Sequence, residues 1–158
     1  MPEPAISVVV PTRNRAGYLE VTLASLARQQ DAPPHEVLVV DDRSTDSTTA
    51  VARRHGVRVL PVDPPGGLNA ARNTGVRETS APVVAFLDDD VRVPPQWVAA
   101  LVAGVDDHPW ADAFGGPIRA RLEGPAPRGC AAASGRRSSR RPCARSAPRS
   151  STPTTRCR

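Results

Sequence analysis

The sequence predicts an α/β fold, a three-layer sandwich with a mostly parallel sheet, on three observations. Short apolar runs recur at residues 6–10 (ISVVV), 36–40 (EVLVV), 57–62 (VRVLPV) and 83–87 (VVAFL). Segments of helical character separate them, so each strand is followed by a single crossover and the strands run parallel. Polar residues close the runs: Thr12, Asp41-Asp42 and Asp88-Asp89-Asp90. In open α/β sheets that carboxyl edge is where ligands bind.

Each element has a local reason. The run at 6–10 stops at Pro11, which has no N–H for a ladder. Between Gly17 and Gln30 the residues Leu19, Leu23, Leu26 and Ala27 mark one helical face, and Asp31-Ala32-Pro33-Pro34 ends it. After the second strand, Arg43-Ser44-Thr45-Asp46 offers caps for a helix reaching His55, with Gly56 as its stop. Residues 63–67 (DPPGG) are a loop, and residues 68–78 can be helical. The run at 83–87 is expected to be buried on both faces, and Pro94-Pro95 to open a helix through Val102. Residues 112–122 are expected to form a fifth, irregular strand.

Composition divides the chain. Residues 1–123 hold all 16 acidic residues and 12 of the 21 basic ones, a net of −4, while residues 124–158 hold nine arginines and no acid. The overall charge of +5 is therefore a property of the tail. That tail carries no Leu, Ile, Val or aromatic residue and cannot form a packed core, so the expected organisation is a folded domain over 1–123 and a disordered or frame-shifted segment over 124–158. Cys130, Cys143 and Cys157 all lie in the tail, at spacings that support neither a disulfide framework nor a zinc site. No long apolar stretch or secretory leader is present, which points to a cytoplasmic protein with no transmembrane segment, with peripheral association at the inner membrane left open.

Three adjacent carboxylates repel one another unless something positive sits among them, and hard oxygen ligands suit Mg²⁺ or Mn²⁺. A metal–phosphate site follows, although a solvated loop or a helix start also produces such a run. Neither a GxxxxGK[ST] P-loop nor a GxGxxG turn is present, so the phosphate binder is of another kind.

Four segments occur in one order: VVVPTRNRAGYLEVTLASLARQ, EVLVVDDRSTDST, GGLNAARNTGV and FLDDDVRVPPQW. Together, over residues 5 to about 122, they resemble the family 2 glycosyltransferases, inverting enzymes that use nucleotide-diphosphate sugars and have the GT-A, Rossmann-like fold. The resemblance implies that Pro11, Thr12 and Arg13 cradle the nucleoside and that Asp42, with Asp41 beside it, accepts from the base. It places Asn69 and Arg72 at the nucleotide-sugar, the arginine towards the diphosphate or sugar, and Asp88 there as well. Asp88, Asp89 and Asp90 correspond to the DxD motif that holds a divalent cation, Mn²⁺ or Mg²⁺; which two of them are ligands stays open. The expected partner is a UDP-sugar, with the acceptor unknown and no nucleic acid expected.

The general base normally lies in the acceptor half, beyond the DxD strand, where this sequence has its arginine-rich tail. The fold is therefore expected to be incomplete at its C-terminus, with no catalytic base in the readable domain. Two rivals follow: a non-catalytic nucleotide-sugar-binding remnant, and nucleic-acid binding through the basic tail. Plainer roles compete at single residues: Asp41 or Asp46 as helix caps, Arg72 as a solvated helix residue, and Trp97 and Trp110 as core or interface side chains. His35, His55 and His108 have no partner spacing.

Overall fold

The computed structural model describes residues 3–121. The chain divides into two units, Met1–Phe114 and Gly115–Arg158, and every helix and strand described lies in the first. The boundary expected at Gly124 lies outside the described residues. In chain order the elements are β1 (Ile6–Thr12), α1 (Ala16–Leu26), β2 (His35–Asp41), α2 (Thr48–Arg54), β3 (Arg58–Pro61), α3 (Gly67–Glu78), β4 (Val84–Phe86) and α4 (Trp97–Asp107). All pairings are parallel and the strand order is β3-β2-β1-β4.

That order follows from the apolar patterning. Every residue of β1 is buried, as a central strand covered on both faces requires. Successive side chains alternate: Val8, Val10 and Val39 join Leu19, Leu23, Leu26, Val51 and Ala52 beneath α1 and α2, while Val9, Val40 and Val62 meet Ala71 of α3 on the other face. The result is helix, sheet, helix. The chain runs outward from β1 to β2 to β3 and then returns to the other side of β1 for β4. The switch point between β1 and β4 opens a crevice at their carboxyl ends, and the acids are delivered there.

Three expectations are corrected. β4 is a three-residue strand, half-buried rather than enclosed, with Phe86 47% exposed, because among the described residues it pairs with β1 alone and its outer edge is uncovered. An apolar run by itself does not distinguish a central strand from an edge. Residues 112–121 form no strand: Gly115-Gly116-Pro117 interrupts the segment and supplies one fewer ladder donor. The helix expected from Pro94 starts at Trp97, whose N–H donates to the Pro94 carbonyl in a turn that precedes the helix. Two boundaries also move inward. α1 ends at Leu26 rather than Gln30, and α2 begins at Thr48 because the preceding loop bonds back to Asp41 and Asp46.

α3 approaches β1 closely because it carries Gly75. A Cβ at that position would lie 2.3 and 3.0 Å from the two methyl carbons of Val9, which is fully buried and β-branched and so has no free rotamer to take. Replacing Gly75 with Ala improves helix propensity by about 1 kcal/mol but overpacks a closed core by about 1–3 kcal/mol. The overpacking wins. Gly75→Ala is expected to lower the urea-unfolding free energy by up to about 2 kcal/mol, and in the Gly75→Ala/Val9→Ala pair the two losses are expected to fall short of additive.

Candidate nucleotide-sugar site

Asp89 fixes the geometry of the acidic turn. It is 8% exposed; its Oδ2 accepts from Thr12 Oγ1 at 2.7 Å, and its backbone carbonyl accepts from Thr22 Oγ1 at 2.7 Å. Thr12 is the last residue of β1 and Thr22 lies on the buried face of α1, so the two elements hold one residue of the loop after β4. Burial pushes the Asp89 carboxyl up, against the hydrogen bond from Thr12 and the charge of Arg15. With Asp89 turned inward, its neighbours stay out. The side chains of Asp88 and Asp90 are 60% and 46% exposed.

Those two carboxylates are met by arginines from different elements. Arg72 of α3 donates to Asp88 at 3.1 Å, and Arg15, immediately before α1, donates to Asp90 at 3.0 Å and lies 3.7 Å from Asp89. The Arg72 guanidinium stands over the Phe86 ring at 5.9 Å, and its Nε is buried without a hydrogen-bond partner in the described structure. The third arginine, Arg13, reaches Asp42 Oδ2 at 3.4 Å.

Asp42 follows β2 directly and its N–H continues the ladder to the Thr12 carbonyl. Its carboxylate accepts from the N–H of Gly67 at 3.1 Å and, more loosely, of Gly66 at 3.4 Å, which caps α3 with a negative charge where the helix dipole favours one. Gly67 has φ +71°, a left-handed conformation that glycine adopts without strain.

These groups line one open cavity of about 370 Å³. Pro11, Thr12, Arg13, Asp42, Asp88, Asp89 and Asp90 are all on its walls, and Arg72 reaches its rim through Asp88. Asp41 is elsewhere. Consecutive residues at a strand end point to opposite faces, so its carboxylate turns to α2, where Ser44 N–H and Thr49 Oγ1 donate to it, and it lines a separate cavity with Arg53 and Val57. Asn69 is exposed and is not among the lining residues. Asp46 accepts from the Thr48 N–H at 2.9 Å, Trp97 packs against the larger core cluster, and Trp110 is 61% exposed. Of the histidines, His55 pairs with Glu20 away from the cavity. Among the described residues no three acidic, His or Cys side chains converge on one ion position, as the inward turn of Asp89 dictates.

Arg15 and the α3 wall of Gly67, Leu68 and Ala71 also line the cavity and are not among the residues expected there. Arg15 left a weak signal, since it repeats Arg13 two residues on, just before the helix; Leu68 left none, because a single Leu between Gly67 and Asn69 reads as an ordinary helix residue.

A family model described as Glycosyl transferase family 2 matches residues 7–141, and the chain belongs to that family. Over 106 residues it is 45% identical to a validoxylamine A glucosyltransferase of Streptomyces hygroscopicus subsp. limoneus, a match covering 63% of this chain and 23% of that protein. S. aureus TarS in complex with UDP-GlcNAc superposes with a TM-score of 0.62 at 29% identity, over 72% of this chain and 37% of that one. Glucosyl-3-phosphoglycerate synthase of Mycobacterium tuberculosis, crystallised with Mn²⁺, UDP and glucosyl-3-phosphoglycerate, gives 0.57 at 30% identity, over 65% and 39%. The chain thus spans less than half the length of the relatives it matches. Its parallel sheet is that of the GT-A glycosyltransferases, and no described helix is long and apolar enough to cross a membrane.

If Thr12 and Asp89 are coupled as the geometry requires, Thr12→Val removes the donor to a buried carboxylate while keeping the β-branched shape. The expected cost is about 1–3 kcal/mol in chemical unfolding. Adding Asp89→Asn, which no longer has a full charge to satisfy, is expected to cost less than the sum of the two single changes.

Proposed function

We propose that residues 1–123 form the donor-binding part of a glycosyltransferase that takes a sugar from a nucleotide diphosphate, a UDP-sugar first, and transfers it with inversion and the help of a divalent cation. One observation carries the reading: the switch-point cavity gathers Thr12, Asp42 and the Asp88–Asp90 turn from three strand ends onto one wall. Complexes of similar proteins with UDP-GlcNAc, and with Mn²⁺ and UDP, support the same assignment.

Charge decides what the cavity can hold. Asp42, Asp88, Asp89 and Asp90 face Arg13, Arg15 and Arg72, four carboxylates against three guanidiniums, so the site is net negative by one and repels a diphosphate. A divalent cation reverses that sign. Asp88 and Asp90, alternate residues with exposed carboxylates, are the pair suited to it, because Asp89 is committed to Thr12. Two carboxylates leave room for diphosphate oxygens and water, the mixed shell that Mg²⁺ and Mn²⁺ accept. The cation, when bound, supplies Lewis-acid charge neutralisation as negative charge grows on the departing diphosphate.

The chain's own residues do the rest. Arg72, whose guanidinium meets Asp88 at the cavity rim, offers further N–H donors and positive charge to a phosphate or sugar oxygen. Asp42 spends only part of its acceptor capacity on Gly66, Gly67 and Arg13 and can take a base N–H. Pro11 and Arg13 flank that position. Inversion requires a base opposite the leaving group to remove the acceptor's proton.

A second reading, nucleotide-sugar binding without transfer, has one observation in its favour. Each of the four cavity carboxylates is already engaged by Arg, Thr or a helix N-terminus, which leaves none free as that base. Titration calorimetry with UDP and Mn²⁺, followed by donor hydrolysis and transfer assays, separates the two. Binding with transfer favours the enzyme; binding without turnover favours the second reading. In either case, removing the metal with EDTA is expected to weaken UDP at least about tenfold, and Asp88→Asn or Asp90→Asn to abolish the Mn²⁺ enhancement. Absence of metal-assisted UDP binding by the unmodified chain sinks the proposal.

A further inference from the structure

Arg15 has a position that the donor-site reading leaves without a task. Its backbone N–H is anchored by Thr48 Oγ1 at 3.0 Å, its guanidinium stands 5.3 Å from the centre of the Tyr18 ring, and its donors reach Asp90 at 3.0 Å and Asp89 at 3.7 Å. The main chain is fixed and the side chain is not. With 45% of that side chain exposed, and 46% of its partner Asp90, the ion pair belongs to the solvent-screened class that contributes little to stability. A tie that weak does not hold the loop together. The buried Thr12–Asp89–Thr22 bonds already do that.

From this we infer that Arg15 is a charge placeholder: it occupies Asp90 while no cation is bound, yields the carboxylate to a divalent cation, and then lends its positive charge to the bound diphosphate. The inference rests on the metal-assisted donor reading above. Three observations support it. First, Asp88, Asp89 and Asp90 repel one another and need counter-charge in the free protein, and Arg15 is the group that meets two of the three. Second, the Asp90 carboxylate is half-exposed and held by one half-exposed guanidinium, so it is reachable by a dication, whose attraction to it at a given distance is twice that of a single charge. Third, the Tyr18 ring supplies a face against which the displaced guanidinium can remain at the cavity rim instead of dispersing into solvent. Arg72 is not equivalent: only 33% of its side chain is exposed, and it is packed over Phe86.

The role makes two effects of opposite sign, which a structural ion pair does not. Free-Mn²⁺ electron paramagnetic resonance on the whole chain without nucleotide reads the competition, and calorimetry with UDP at saturating Mn²⁺ reads the contribution to the diphosphate. Arg15→Gln is expected to bind Mn²⁺ alone about 3- to 10-fold tighter and UDP–Mn²⁺ about 10-fold weaker than the unmodified chain, with Arg15→Lys close to the unmodified chain in both. Tyr18→Leu, which keeps the charge but removes the ring, is expected to leave Mn²⁺ affinity unchanged and weaken UDP about 3-fold. It also serves as the informative variant if Arg15→Gln fails to fold by circular dichroism. Affinities for Mn²⁺ and UDP that fall together, or a Mn²⁺ affinity that does not rise, overturn the placeholder role while leaving donor binding by the unmodified chain intact. If the unmodified chain binds no Mn²⁺, both readings fail together.

Discussion

The buried carboxylate of Asp89 is the constraint on which the rest of the site depends. A charge taken out of water is costly unless donors replace the lost hydration, and here one threonine at the end of β1 meets the carboxylate while another on α1 holds the adjoining carbonyl. Both hydroxyls are buried themselves, so neither can be exchanged for water at little cost. Because Asp89 is held, Asp88 and Asp90 face outward, each towards a different arginine.

A second consequence concerns how anions are received. Helix N-termini are frequent phosphate sites. In this fold the first turn of α3 is already occupied by the Asp42 carboxylate, and the start of α1 is met by Thr48 and Asp46 side chains. Neither helix dipole is left for a diphosphate. The positive charge lining the cavity therefore comes from guanidiniums, and the sequence carries neither a P-loop nor a GxGxxG turn. The Asp42 cap also ties the cavity to the helix, since a carboxylate on the cavity wall is the group that starts α3.

Much of the fold was legible because β1 and β2 are long and apolar, so periodicity alone located them, although β1 runs on through Pro11 to Thr12 instead of stopping at the proline. β4 was misjudged because burial of a strand's second face depends on what pairs beyond it, and that is not local information. For the site, Thr12, Asp42 and the three aspartates were readable as polar residues at strand ends. The sequence did not distinguish Asp41 from Asp42, for a dipeptide does not say which member points to which side of the sheet. It did not sort the aspartates either. The partner that turns Asp89 inward is 77 residues away, and the arginine that meets Asp90 is 75 away, separations at which composition and spacing carry no signal. The resemblance to a family supplied the roles; contact geometry supplied the division of labour.

The close seat of α3 on β1 reaches further than packing. Gly75 lies eight residues after Gly67, about 12 Å along the helix axis. A bulkier side chain at 75 would make Val9 a fulcrum and tilt the helix as a rigid rod, lifting the first turn away from Asp42 and swinging Arg72 relative to Asp88. The geometry of the cavity wall would then be set about two helical turns away, by a glycine that is not among the lining residues.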